Sequence, residues 1–317
     1  MGEARPLVVI VGPTAVGKTD LSLCLAEAVG GEIVSADSRQ VFRSMDIGTA
    51  KAGPEEQARV RHHLLDVVDP GETLGLAEYQ ELAYAAIDDI LARGRVPFLV
   101  GGTGQYVMAV VEGWQIPRVP PNESLRRDLY QEAEEGGADA LHARLQELDP
   151  VAAARIDYRN VRRVVRALEV CLLTGRPISE QQKKAPPPYN LVMIGLTMPR
   201  PVLYRRIDER VERMMASGLE DEVRQLVGAG YTFDRPAMTG LGYGQFRSYL
   251  AGEASREDVV SEIKRATRRF VRQQRNWFRQ DDPRIHWLDA TSDPCEEALR
   301  LLLGFLNGVS GARGQEP

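Results

Sequence analysis

Gly12-Pro13-Thr14-Ala15-Val16-Gly17-Lys18-Thr19 follows the apolar run Leu7-Val8-Val9-Ile10-Val11 and leads into the apolar-periodic segment Leu21-Ser22-Leu23-Cys24-Leu25-Ala26. Strand, glycine-bearing turn and helix, in that order, are the context in which the spacing G-x-x-x-x-G-K-[ST] reads as a phosphate-binding loop. Gly12 and Gly17 let the backbone curl so that several N–H groups point inward. The helix that follows adds the positive end of its dipole. Lys18 brings a point charge, and the Thr19 hydroxyl can hold a Mg²⁺ ion. The stretch predicts a cradle for a di- or triphosphate and does not by itself choose ATP.

Working outward, further strands are predicted at 32–35, 62–69, 96–100, 191–196 and 285–288. Helices are predicted at 18–29, 76–92, from Pro201 onward, and at 255–280. The reading is an α/β fold: a P-loop NTPase-like parallel sheet core with helices on both faces and an inserted all-helical domain. The insert is bracketed by the proline-rich stretches 116–121 and 185–189, between which only helical signals occur. This gives a discontinuous core of residues 1–118 plus 190–308, an inserted helical domain at 119–189 and a flexible glycine-rich tail at 309–317.

The 317 residues are 43% hydrophobic and 27% charged, an ordinary soluble composition, with net charge −5. No run approaches the ~20 apolar residues of a membrane span, and the first apolar run is a strand entering the loop rather than a leader. Cys24, Cys171 and Cys295 have no pairing or metal spacing, so reduced thiols and a cytoplasmic location are expected. The acidic balance hides local basic blocks. Arg outnumbers Lys 35 to five, and one of the five lysines sits in the loop.

Ligands of open α/β sheets bind beyond the carboxyl ends of the strands. Asp37, after the second predicted strand, is at such an end; cap of a following helix and catalyst are both open readings. Gly101-Gly102-Thr103-Gly104 makes a second glycine turn at a strand end, either half of a two-sided phosphate site or a plain tight turn. Adjacent His62 and His63 point opposite ways on a strand and read as structural. Inside the insert, Arg159, Arg162, Arg163 and Arg166 share one helical face, with Arg155 on its approach. Arg206, Arg210 and Arg213 share another, able to close over phosphates. From Ile263 to Arg279 there are seven positive residues and no acid: Lys264, Arg265, Arg268, Arg269, Arg272, Arg275 and Arg279. A merely solvated face would mix signs, so contact with nucleic acid or polyphosphate is expected there.

Taken together, these motifs resemble the bacterial tRNA dimethylallyltransferase family. They are 12–19; Ser35-Ala36-Asp37-Ser38-Arg39-Gln40-Val41-Phe42 with Asp46-Ile47-Gly48-Thr49-Ala50-Lys51; His62-His63-Leu64-Leu65-Asp66; Gly101-Gly102-Thr103-Gly104-Gln105-Tyr106; Arg163-x-x-Arg166-Ala167-Leu168-Glu169; and Arg210-x-x-x-Met214-x-x-x-Gly218-Leu219-x-x-Glu222-Val223. The resemblance spans residues ~7 to ~290. Phe42 stands where many relatives have Tyr, and Gln105 where many have Leu; neither touches the chemistry.

The resemblance implies transfer of a dimethylallyl group from dimethylallyl diphosphate to the exocyclic amine of the adenosine just 3′ of the anticodon. The acceptors are tRNAs reading codons that begin with U, diphosphate is released, and Mg²⁺ is the cofactor, held through Thr19. It makes Asp37 the general base, with Thr103 and Arg210 as catalytic partners on the leaving group. The diphosphate sits on Gly12, Pro13, Thr14, Ala15, Val16, Gly17, Lys18 and Thr19. For tRNA it implies Asp37, Ser38, Arg39, Gln40 and Thr103, the segment Arg159, Asn160, Val161, Arg162 and Arg163, and Arg126; the basic run adds Arg268 and Arg272. A cytoplasmic monomer whose partners are the tRNA anticodon stem-loop and dimethylallyl diphosphate is expected. Three alternatives stand beside this reading: transfer to free adenine nucleotides, a small-molecule kinase, and a non-catalytic RNA-binding module.

Overall fold

The computed structural model describes residues 5–185 and 189–311. Six parallel strands form one sheet: β1 Pro6–Val11, β2 Glu32–Ser35, β3 His62–His63, β4 Pro97–Val100, β5 Asn190–Thr197 and β6 Ile285–Asp289, in the order β3-β2-β4-β1-β5-β6. β1 lies inside the sheet, with Val9 opposite Leu99 on one side and Met193 on the other. Covered on both faces, it is apolar at every position from Leu7 to Val11, as buried parallel strands are. Leu7, Val9 and Val11 enter one apolar cluster with Tyr79, Ile87, Val107 and Phe246. Val8 and Ile10 enter another with Leu25, Ile207 and Leu302, as the two-residue period dictates.

In chain order the helices are α1 Lys18–Val29, α2 Pro54–Arg59, α3 Leu76–Ala92, α4 Gly104–Val111, α5 Glu123–Gly136, α6 Ala138–Leu148, α7 Pro150–Ala153, α8 Val161–Thr174, α9 Ile178–Gln181, α10 Arg200–Ala216, α11 Leu219–Gly228, α12 Phe246–Leu250, α13 Arg256–Gln274 and α14 Cys295–Gly311. The chain divides into two units, Met1–Val111 with Pro187–Pro317, and Glu112–Pro186.

The smaller unit begins at 112, where the sequence reading began it at 119. The additional residues pair with the end of the same unit: Trp114 bridges Lys184, and Ala185 N–H donates to the Gly113 carbonyl at 2.9 Å. Pro186–Pro188 of the second bracket lie outside the described residues. The unit has its own core, built from Leu129, Leu141, Leu145, Val164 and Leu168. Glu169 is fully buried beside that core. It receives Nε and Nη2 of Arg126 at 2.8 and 3.0 Å, Nη1 of Arg166, and the Asn122 N–H at 2.8 Å.

Four expectations are corrected. The strand expected over 62–69 ends at His63, because Leu64 and Asp66 take left-handed backbone angles (φ 62° and 56°) that a strand cannot hold. The long helix ends at Gln274 rather than at 280. The tail begins later than 309: α14 runs on to Gly311, while 312–317 lie outside the described residues. The odd cysteine count suggested free thiols, yet Cys24 of α1 and Cys295 of α14 form a disulfide with Cα atoms 6.4 Å apart, and only Cys171 is free and buried. The pair is 271 residues apart, joined by the packing of the first and last helices, which no local spacing reveals. Among the described residues, no helix is long and apolar enough to cross a membrane.

Candidate active site

The carboxyl ends of β1, β2 and β4 carry the residues that the sequence singled out. After β1 the chain turns at Gly12, whose φ of 147° and whose approach to the Leu196 carbonyl leave no room for a side chain; a Cβ there would lie 2.7 Å from that oxygen. Ala15 adopts φ 68°, and Gly17 is the left-handed N-cap of α1. Three positive-φ residues, Gly12, Ala15 and Gly17, thus shape the loop where N–H groups gather. Lys18 folds back over it, Nζ donating to the carbonyls of Gly12 at 3.1 Å and Pro13 at 2.9 Å. Burial pushes the Lys18 pKa down to about 8; the nearby Asp37 carboxylate works against that shift and Arg210 adds to it. Arg210, from α10, is itself lowered by burial, opposed by Asp37. Asp37, Lys18 and Arg210 are therefore within electrostatic reach of one another, although they stem from three separate elements.

Asp37 is half-buried at the end of β2. No helix follows it: Oδ1 accepts the Arg39 N–H at 2.9 Å and closes a turn, so the capping alternative holds only in this local sense. Its other oxygen has no protein donor among the described residues. Beneath it Tyr79 and Tyr106 stack with centroids 3.6 Å apart, and the Tyr79 hydroxyl donates to the Ser35 carbonyl at 3.1 Å. Burial first, and then the Asp37 charge, push the Tyr106 hydroxyl up to about 12, while burial, then Tyr106 and then Asp37 push Tyr79 well above its ordinary value, so both stay neutral.

Thr103, on the turn after β4, is tied to the same segment. Its N–H donates to the Ala36 carbonyl at 3.2 Å, and its Oγ1 accepts the Ser38 N–H at 3.0 Å. Ser38 is thereby fixed against Thr103. Gln40 links the Ser35 hydroxyl at 3.0 Å to the Ala50 carbonyl at 3.2 Å, and Arg39 reaches the Pro236 carbonyl at 2.8 Å. Gly104 carries no side chain because Trp277 lies against it, 2.1 Å from where a Cβ would stand.

Two residues that the sequence reading gave no role turn out to hold this assembly. Glu222, in the first turn of α11, accepts the consecutive N–H groups of Asp46, Ile47 and Gly48 at 2.9, 2.8 and 3.1 Å, and the hydroxyl of buried Tyr243 at 2.6 Å. That loop leads to Thr49, whose carbonyl receives Arg210 Nη2 at 3.4 Å, and to Lys51, buried between Asp46, Asp66 and the Phe42 carbonyl. From sequence, Glu222 reads as one of three acids complementing a helix N-terminus. Gln274 was hidden as an uncharged residue inside the basic run. It ends α13 and bonds both glycine turns, Oε1 accepting the Thr14 N–H at 3.0 Å and Nε2 donating to the Gly102 carbonyl at 2.9 Å.

The basic residues divide. In the smaller unit Arg162 and Arg163 are exposed in the first turn of α8, which Asn160 caps by accepting the Arg163 N–H at 3.3 Å; Val161 begins the helix. Arg159 is paired with Asp157, and Arg126 is committed to Glu169. On α13 the expectation of an acid-free face is corrected, because α10 supplies the acids: Asp208 pairs with Arg268 and Glu212 with Lys264. Arg272 stays exposed and donates to the Tyr204 hydroxyl at 3.4 Å. His63 meets Glu32 at 2.7 Å and His62 the Val60 carbonyl at 2.7 Å, as structural histidines do. Among the described residues no group of three or more His, Cys, Asp or Glu is placed to hold a metal. The exposed Thr19 hydroxyl is the hard oxygen available at the loop, which suits a Mg²⁺ ion that draws its remaining ligands from phosphate and water.

Loop, carboxylate and arginine thus gather at the carboxyl ends of the strands of a P-loop NTPase-like parallel sheet, a fold the chain shares with group-transferring enzymes. Comparison with known proteins says which kind. The family model described as IPP transferase matches residues 40–281, and that of isopentenyl transferase matches 6–72. A tRNA dimethylallyltransferase of Roseiflexus castenholzii is 60% identical over 274 residues, covering 86% of this chain and 90% of that one. The tRNA isopentenylpyrophosphate transferase of Bacillus halodurans superposes with a TM-score of 0.73 at 42% identity, over 98% of this chain and 100% of that one. A eukaryotic dimethylallyltransferase seen acting on tRNA gives 0.81 at 26% identity, over 97% and 80%. The chain belongs to the IPP transferase family.

Proposed function

We infer that this chain transfers a dimethylallyl group to tRNA, taking it from dimethylallyl diphosphate and placing it on the exocyclic amine of the adenosine 3′ of the anticodon. The observation that carries the reading is the convergence of Asp37 with Lys18 and Arg210 at the strand ends, beside Thr103. An exocyclic adenine amine is a poor nucleophile, its lone pair being delocalised into the ring. A carboxylate that takes its proton as the N–C bond forms raises the rate, and the undonated oxygen of Asp37 is suited to that task. The allylic C–O bond breaks readily only if the charge growing on the diphosphate is met. Lys18, the loop N–H groups, Thr103 and the Arg210 fork are the groups that would meet it. A Mg²⁺ ion held by Thr19 would add charge neutralisation at the same phosphates.

Acceptor binding is supported by the first turn of α8. Arg162 and Arg163 stand at the positive end of a helix, where cations are unfavourable by ~0.3–1 kcal/mol each unless an anion is bound. An RNA phosphate is such an anion, and anticodon-loop bases are free to unstack toward a buried donor. We take the working form to be a monomer in the cytoplasm, a location that rests on its tRNA acceptor and not on its thiols, two of which are paired. The test is transfer of labelled dimethylallyl to an anticodon stem-loop and to AMP in parallel, with wild type and Asp37→Asn. The stem-loop is expected to be the used acceptor, and Asp37→Asn to lower turnover by about 10²–10⁴-fold while diphosphate still binds. Efficient use of AMP alone, or near-normal turnover of the variant, overturns the reading.

A further inference from the structure

Building on the reading of tRNA as acceptor, we propose that Tyr158 is a platform on which one unpaired base of the RNA stacks, its flanking phosphates being met by Arg162 and Arg163. The ring stands in the open. Tyr158 is 47% exposed, in a segment from Ala154 to Arg163 where only Ile156 and Val161 are partly withdrawn. A single exposed aromatic is ordinary on a protein surface. What sets this one apart is how it is held and what surrounds it.

The connector between α7 and α8 is anchored on both sides of the ring. Ile156 packs against the apolar core of the smaller unit, and its carbonyl meets His142 Nε2 at 2.9 Å. Asp157 then closes a turn: its Oδ1 accepts the Arg159 N–H at 2.9 Å, and its carbonyl accepts the Asn160 N–H at 2.9 Å. Asn160 in turn accepts the Arg163 N–H and begins α8. Tyr158 is thus carried on a turn whose backbone is already bonded. The Arg159 guanidinium lies 5.9 Å from the ring centre, while its Nε and Nη2 donate to the two carboxylate oxygens of Asp157. Its charge is matched there, so it steadies the ring rather than offering itself to a phosphate. A platform set in place beforehand loses little freedom when a ligand arrives.

An aromatic face takes another π face or a cation. The segment disfavours a cation, because Arg155, Arg159, Arg162 and Arg163 stand against the single acid Asp157. A nucleotide suits both features at once. Its base offers a π face, and the phosphates on either side suit Arg162 and Arg163, which are exposed and have no carboxylate partner among the described residues. Aromatic side chains interleaved with cations are the means by which single strands are held. A paired base hides its faces in the duplex stack, so the nucleotide is an unpaired one, as in a loop.

The experiment measures equilibrium binding of an anticodon stem-loop, over a series of salt concentrations, to the full chain and to its Tyr158→Phe, Tyr158→Leu and Tyr158→Ala variants. Tyr158→Phe, which keeps the ring, is expected to bind within about twofold of wild type. Tyr158→Leu and Tyr158→Ala are expected to bind about fivefold or more weakly, the effect of losing one stacked base. All three should keep the salt slope of wild type, since no charge is changed. Stem-loops carrying a fluorescent purine at one loop position at a time then identify the base: one position should be quenched on binding to wild type and Tyr158→Phe, and not on binding to Tyr158→Ala. A smaller loss in Tyr158→Ala, Tyr158→Leu binding as well as Tyr158→Phe, or quenching that does not follow the ring overturns the proposal. Failure of wild type to bind the stem-loop would remove the acceptor reading itself, and the platform with it.

Discussion

Helices α8 and α13 carry comparable runs of arginine, yet the structure treats them differently. At the start of α8, Arg162 and Arg163 are exposed and no carboxylate of the described residues pairs with them. In the run from Ile263 to Arg279, which α13 begins and the turn after it ends, four of the seven cations have an acid: Lys264 has Glu212, Arg265 has Glu262, Arg268 has Asp208 and Arg279 has Asp281. Arg268 also stacks over Tyr204, 5.4 Å from the ring centre. A run of one sign along a helix thus says little about whether the face is free. Its acids can come from the neighbour, as here from α10. The informative feature of α8 is its position: cations at the positive end of a helix break a local rule, and rules are broken where a ligand completes the charge balance.

The largest effect is expected where an arginine of the α8 unit is structural. Arg126 was expected at the RNA, but it neutralises fully buried Glu169 with help from Arg166. Arg126→Ala should destabilise the protein by about 3 kcal/mol, the low end for breaking a buried pair because one partner remains. Denaturant unfolding measures it. An unchanged midpoint, together with weakened RNA binding, would instead put Arg126 on the RNA-facing surface and blur the contrast between structural and binding arginines.

A smaller and different effect is expected of Arg162 and Arg163. Replacing both by Ala should raise the unfolding free energy by about 0.6–2 kcal/mol, because two cations are removed from the positive end of a helix. It should lower the salt slope of anticodon stem-loop binding by about 0.7 for each RNA phosphate that the arginines neutralise. An intact slope would mean that the α8 terminus faces solvent, and its unfavourable charges would then have no account.

The phosphate loop was legible because its physics is local: glycine spacing, a lysine and a following helix lie within eight residues. Asp37 and Thr103 were legible as strand-end residues for a similar reason. The segment from Ser38 to Lys51 was not, because what shapes it comes from far away. Glu222 binds three of its N–H groups from 174 to 176 residues along the chain, and Gln274 reaches Thr14 across 260. The third strand failed in the same way. Leu64 and Asp66 look like strand residues, but the Asp66 carboxylate is drawn to Lys51 at 2.7 Å, and the backbone turns to deliver it. Where a partner is distant, residue type alone suggests the generic role: a helix-end acid, an uncharged gap in a basic face, or one more alternating position.

Arg268 and Arg272 put the comparison to its finest test, being neighbours one turn apart on α13. Arg268 is held by Asp208 at an interface where both side chains are about one-third exposed. Arg272 is exposed and meets only the Tyr204 hydroxyl. Arg268→Ala should cost about 1 kcal/mol or less in unfolding, the scale of a partly exposed ion pair. It should leave the salt slope of RNA binding unchanged, since its charge is already matched. Arg272→Ala should do the reverse, lowering the slope by about 0.7 if it meets one phosphate and leaving stability alone. An equal fall in slope from the two variants would show that the Asp208 pair opens when RNA arrives. The acids of α10 would then compete with RNA for Arg268 rather than remove it from the RNA-facing surface.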